Sequence, residues 1–224
     1  MQSGKWVYLF NHVPRTGGAS LGSVLASWGR PVWDYQKGPG AADRERWLRR
    51  PLDLDAVATG SVVLGHYTGP GGRLRERYPQ VFTSARYRLI TVLRTPWALA
   101  RSHADRAIAD GGDPLGVDEV VISVANIYSK NLGPSVASDP GLLRHYWFVG
   151  CTEKLQAACD ALADRLACPR RRVPLSNDAR TRSTLPPGLR QQFDDASCAD
   201  RQLYEAAQRI ASGETGMADA GDRH

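Results

Sequence analysis

The residue types best suited to chemistry fall in three short stretches. In the first, HVPRTGGAS, Arg15 brings a permanent charge, Thr16, Ser20 and Ser23 bring hydroxyls, and Gly17 and Gly18 let the backbone curl so that several N–H groups face one point. Ala19 leads into a helical pattern that restarts at Ser20 and continues through Leu21, Val24, Leu25 and Trp28. Strand, glycine loop and helix together hold a phosphate, because the loop's N–H groups and the positive end of the helix dipole converge there. The same pattern also makes a plain tight turn, and both readings stand. The loop is not a Walker A motif: no Lys follows Gly17 or Gly18, which disfavours an ordinary P-loop NTPase.

The second stretch is LGHYTG. His66 follows a short apolar run at the position where open α/β sheets bind ligands, and its ordinary pKa suits a general base. A histidine bonded inside a turn is the plain alternative. In the third stretch, ITVLRTPWALARSH, Arg94 ends a strand, and Ser102 lies about two helical turns beyond the N-cap position Thr95. One anion can touch both; alternatively Arg94 pairs with a carboxylate and Ser102 is merely exposed.

These residues need a sheet edge to hold them. Trp6, Val7, Tyr8, Leu9 and Phe10 form a continuous apolar run, which suits a strand buried on both faces of a parallel sheet, and Ser61 to Leu64 and Arg86 to Leu93 read as the second and third strands. Pro96 opens a helix that runs to about Asp110 and stops at Gly111 and Gly112. Asp118 to Tyr128 reads as helix, with strand as the competing reading. Trp147 to Gly150 reads as a last strand, and Thr152 caps a helix, TEKLQAACDALADRL. Asp195 to Ser212 reads as the final amphipathic helix. Between the first helix and the second strand, Arg30 to Pro51 reads as a long excursion with one short helix around Ala42 to Arg49. Its Trp33, Tyr35 and Trp47 either build an acceptor pocket or tack a loop onto the core. Arg170 to Pro187 is a basic loop that either solvates the surface or closes over a polyanion.

A chain of 224 residues supports its own core, and it reads as one domain over residues 1–212 with a frayed tail from Gly213 to His224. Lys and Arg exceed Asp and Glu by 29 to 23, an excess that favours an anionic ligand but is too mild to specify nucleic acid. No apolar segment is long enough to span a membrane and no secretory signal is evident, so a cytoplasmic protein is expected. Cys151, Cys159, Cys168 and Cys198 match no metal or redox spacing and are expected to be reduced thiols.

Taken together and in order, HVPRTGGASL, LGHYTG, ITVLRTPWALARSH and the paired segments FVGCTEKLQAACDAL and CADRQLYEAAQRI resemble the sulfotransferases that use 3′-phosphoadenosine 5′-phosphosulfate (PAPS). The nearest likeness is to the membrane-type carbohydrate branch that includes the heparan sulfate 2-O-sulfotransferases and small bacterial relatives. The resemblance implies a P-loop-like three-layer α/β sandwich with a central parallel sheet flanked by helices. It implies in-line transfer of a sulfuryl group from PAPS to a hydroxyl of a small molecule or sugar-bearing acceptor, leaving 3′-phosphoadenosine 5′-phosphate (PAP), with no metal. It places the 5′-phosphosulfate over Arg15, Thr16, Gly17, Gly18, Ala19 and Ser20, the 3′-phosphate on Arg94 and Ser102, and the acceptor's proton on His66. Lys154, Arg180 and Arg182 would add nucleotide contacts. The family loop generally has Lys where this chain has Arg15, which keeps the charge but donates a proton far less readily. High Arg and Ala usage fits a high-GC bacterial source and a role in secondary metabolism. The alternatives are a kinase-like phosphotransferase and a relative that binds a nucleotide or sulfated ligand without turnover.

Overall fold

The structure is a computed structural model that describes residues 5–113, 116–132, 139–174 and 184–213. Five strands, β1 (Val7–Asn11), β2 (Arg30–Asp34), β3 (Ser61–Gly65), β4 (Tyr87–Leu93) and β5 (Phe148–Cys151), form one parallel sheet in the order β2-β3-β1-β4-β5. Every residue of β1, β3 and β4 is buried, the polar Asn11, Ser61, Arg88 and Thr91 included, which explains why these strands are mainly apolar.

Alternate residues of β1 feed opposite layers. Tyr8 and Phe10 pack with Leu21 and Leu25 of α1 (Gly18–Trp28) and with a later helix through Cys159 and Leu162. Val7 and Leu9 pack on the other face with Tyr128, Leu203 and Ala207. The result is the expected three-layer α/β sandwich, with helices covering both faces of the sheet.

The remaining helices are α2 (Ala41–Arg49), α3 (Leu74–Arg77), α4 (Pro96–Ala109), α5 (Val117–Ser123), α6 (Ile127–Leu132), α7 (Leu155–Arg165), α8 (Leu189–Ala196) and α9 (Cys198–Ala211). The expected helix Asp118 to Tyr128 is broken in two, with Asn126, at φ 55°, between α5 and α6. The expected final helix is the continuous α9, and Ser197, whose hydroxyl turns back to the Phe193 carbonyl at 2.7 Å, separates it from α8. Buried Asp200 then accepts from the Tyr128 N–H at 3.1 Å, tying α9 to the start of α6. Residues 175–183 and 214–224, which include Arg180, Arg182 and almost all of the expected tail, lie outside the described residues.

The excursion at Arg30 to Pro51 is corrected: it opens with strand β2. Pro31 and an exposed face hide it, since an edge strand has one neighbour, tolerates proline and needs no apolar run. Its last residue, Asp34, is the centre of a buried ion-pair network. Arg77 grips both carboxylate oxygens at 3.1 Å, Tyr78 donates at 2.7 Å, and Trp47 of α2 donates at 2.8 Å. The Arg77 guanidinium also lies 3.9 Å from the Trp47 ring centroid. Trp47 therefore tacks the excursion to the core. Removing one partner strands the other's charge, so Asp34→Ala is expected to lower stability by about 3–5 kcal/mol. Urea unfolding checks this, and Arg77→Ala should cost a similar amount.

Candidate functional site

The carboxyl ends of β1, β3, β4 and β5 open into one cavity of about 770 Å³. Its lining includes Arg15, Gly17, Gly18, Ala19, Ser20, His66, Arg94 and Ser102, so the structure gathers three stretches that lie up to 87 residues apart in sequence. No carboxylate is among the described residues that line it.

Gly17, at φ 80°, turns the chain into α1, which has no side-chain cap; the N–H groups of Gly18, Ala19 and Ser20 precede the first intrahelical bond, Leu21 N–H to the Gly17 carbonyl at 3.1 Å. An uncapped helix start on a cavity wall is an anion cradle. Thr16 is fully buried and is not among the lining residues, its hydroxyl donating to the Val13 carbonyl at 2.8 Å, and Ser23 bonds within α1.

Arg15 stands at φ 67°, the left-handed region, which costs a non-glycine residue about 1–2 kcal/mol. Its Nε donates to Ser102 Oγ at 3.1 Å, while Arg94 donates to the Arg15 carbonyl at 3.3 Å. The two anion-binding groups anticipated from sequence are thus contiguous. Neither guanidinium has a carboxylate ion-pair partner among the described residues. Burial, then the charges of Arg106 and Arg94, press the Arg15 pKa down, a strain that an incoming anion relieves. Buried Tyr128 fixes the Arg94 main chain, accepting from its N–H at 2.7 Å and donating to its carbonyl.

His66 does not stand alone. Register pairs Asn11 of β1 with Gly65 of β3, so the next residues, His12 and His66, meet side by side, with His66 Nε2 2.8 Å from His12 Nδ1. The Tyr35 hydroxyl lies 3.3 Å from the same His12 nitrogen, and its ring sits edge-on to His66 at 4.7 Å. Burial lowers His66 to about 4; burial and then the His66 charge lower His12 to about 3, and burial raises Tyr35 to about 12. All three are neutral at pH 7. His12 and Tyr35 were not anticipated, although both histidines follow the last residue of adjacent parallel strands.

From the basic loop that starts at Arg170, Arg172 joins Arg15 and Arg94 as a third guanidinium in the lining. Gln156 of α7 secures that segment, accepting from Val173 N–H at 2.9 Å and donating to the Arg171 carbonyl at 3.0 Å. Thr152 does not cap α7 as expected. Its hydroxyl bonds the Thr16 and Leu93 carbonyls, tying the phosphate loop to β4, and a short 3₁₀ turn, Thr152–Lys154, precedes the helix. Lys154 at the end of that turn lines a separate cavity of about 570 Å³ between α7 and α9 and is not brought to this site.

The site also sets a pH response. His12, His66 and His103 titrate near 3, 4 and 4 when folded, against 6.5 ordinarily; burial is the leading cause for each. Between these limits the unfolded chain binds more protons, so stability is complete above about pH 6.5 and is lost as pH falls toward 4. Asp200, raised by burial to about 6 from 3.8, opposes this with one proton against as many as three. Thermal melts should therefore show Tm falling from pH 7.5 to 5, with a shallower fall in His66→Ala.

No family model matches the chain, and no curated protein matches it either. Among solved structures, it is similar to a sulfotransferase from Alicyclobacillus acidocaldarius with TM-score 0.52 and 15% identity, over 92% of this chain and 95% of that one. A mouse sulfotransferase complexed with PAP has TM-score 0.45 and 11% identity over 91% and 90% of the two chains. Retinol dehydratase in a complex with retinol and PAP has TM-score 0.45 and 12% identity over 100% and 84%. The first of these likenesses, together with the all-parallel five-stranded sheet, shows that the chain has the fold of a sulfotransferase.

Proposed function

We propose that the chain is a PAPS-dependent sulfotransferase acting on a hydroxyl of a small-molecule or sugar-bearing acceptor. The observation that carries this is the convergence, in one cavity, of guanidiniums with no ion-pair partner among the described residues, an uncapped helix start and a neutral histidine, with no carboxylate among the described lining residues. Kinase-type phosphoryl transfer relies on carboxylate-held Mg²⁺, and no carboxylate is among the described lining residues.

The residues fit a nucleotide charged at both ends. The Gly18, Ala19 and Ser20 N–H groups would hold the 5′-phosphosulfate, with Arg15 neutralising charge on the departing oxygen. Arg94 and Ser102 would hold the 3′-phosphate, where a charge-assisted bond replaces the weaker Arg15–Ser102 contact. His66 would accept the acceptor's proton as its oxygen attacks in line. Arg180 and Arg182 stay as proposed nucleotide contacts, while Arg172 has the stronger placement.

On the acceptor side Tyr35 presents its ring, and Trp33, 58% exposed, lies 6.0 Å beyond it, which suits a ring-bearing acceptor. The sequence motifs favour the membrane-type carbohydrate branch, in a one-domain protein over residues 1–212. A cytoplasmic setting is part of the proposal, and the four free thiols are consistent with it. Incubation with ³⁵S-labelled PAPS and a panel of phenols, sugars and hydroxylated metabolites tests the reading. Label should move to an acceptor. Tight PAP binding with no transfer and no hydrolysis would make the chain a non-catalytic binder, and γ-phosphoryl transfer from ATP would make it a kinase.

A further inference from the structure

The histidine pair has two outer nitrogens, His66 Nδ1 and His12 Nε2, and neither bonds a described residue, although both rings line the cavity. His12 Nε2 lies against the start of α1: a β-carbon built on Gly18 would fall 1.8 Å from Cδ2 and 2.2 Å from Nε2 of that ring. Glycine at position 18 is what lets an imidazole edge reach the phosphate cradle. The other outer nitrogen, on His66, belongs to the ring that Tyr35 flanks edge-on at 4.7 Å, where the proposed function puts the acceptor. On that reading the two imidazoles, joined by the 2.8 Å contact, run from the acceptor to the start of α1.

We propose that His12 is a second catalytic residue and that, with His66, it forms a two-imidazole wire carrying the acceptor's proton to the phosphate oxygen released from sulfur. This rests on the sulfotransferase reading. The wire requires His66 Nε2 to carry the proton shared with His12 Nδ1 at 2.8 Å and His12 Nε2 to carry the other; the Tyr35 hydroxyl, 3.3 Å from the same Nδ1, is the more distant neighbour of that nitrogen.

In the transfer step the acceptor's O–H bond breaks as its oxygen bonds sulfur. The proton passes to His66 Nδ1, the Nε2 proton of His66 passes to His12 Nδ1, and the Nε2 proton of His12 passes to the bridging oxygen as the S–O bond breaks. One O–H and one S–O bond are lost and one of each is made. Both imidazoles end neutral with their tautomers exchanged, and water in the cavity restores them. Burial that disfavours imidazolium at both sites is no obstacle to a relay that stores none. The wire also supplies the proton that Arg15, charged at all working pH values, does not give.

The test uses the full chain labelled with ¹⁵N-histidine at pH 7, with and without PAP, and single-turnover hydrolysis of PAPS with water as acceptor. Both His12 and His66 are expected as neutral Nε2–H tautomers with a scalar coupling across their shared hydrogen bond, and PAP should shift His12 Nε2. His12→Gln should slow hydrolysis by about 10²-fold or more while PAP affinity stays within about threefold, and the double variant with His66→Gln should be no slower than His66→Gln alone. A His12 Nδ1–H tautomer, a full rate in His12→Gln, or multiplicative losses in the double variant would overturn the wire while leaving the sulfotransferase reading intact. Absence of both PAP binding and PAPS turnover in the unmodified chain would overturn the two together.

Discussion

Arg15→Ala is expected to lower the single-turnover rate of sulfuryl transfer by about 10²–10³-fold, the usual effect of removing a preorganised donor from a developing oxyanion. Arg15→Lys should retain much of the rate, since the charge is kept on a shorter donor. Backbone geometry separates this role from a structural one. At φ 67°, Arg15→Gly should be more stable than Arg15→Ala by about 1 kcal/mol, because glycine occupies that region without a Cβ penalty. The two variants should be equally inactive. Rapid-quench kinetics paired with urea unfolding checks both halves. An Arg15→Ala enzyme at full rate would show that the strained residue serves the loop's shape alone.

His66→Ala is expected to lower the transfer rate by about 10²–10⁴-fold, the range of general base catalysis, with PAP affinity unchanged. The pH profile gives a second reading. Because burial lowers His66 to about 4, the acid limb of kcat/KM should lie well below the ordinary 6.5, the base form persisting as pH falls. Loss of PAP binding in His66→Ala would identify a structural histidine instead.

The parts of the fold legible in sequence are those buried on both sides. Strands β1, β3 and β4 announce themselves as apolar runs, and Gly17 with Gly18 marks the loop because only glycine punctuates a strand in that way. Strand β2 was not legible, because an edge strand with Pro31 and an exposed Trp33 carries no continuous pattern. Arg15, His66, Arg94 and Ser102 could be singled out because each sits at a strand end or at a helical spacing from one. His12 lines the same cavity, but its pairing with His66 depends on β1 and β3 being parallel neighbours, a fact of register that periodicity does not encode. The same limit applies to Lys154, which the resemblance offered as a nucleotide contact: in the short 3₁₀ turn Thr152 lines the site cavity, whereas Lys154 lines the separate one.

The central claim is that Arg15, the α1 start, Arg94 and Ser102 together grip a nucleotide carrying phosphate at both the 3′ and 5′ positions. Calorimetry of the full chain with PAP, adenosine 5′-phosphate and ATP tests it most directly. Two charge-assisted bonds to the 3′-phosphate predict that PAP binds about 10²-fold more tightly than adenosine 5′-phosphate, and that Arg94→Ala removes most of that preference. ATP binding as tightly as PAP, or a preference for PAP that survives Arg94→Ala, would contradict the account.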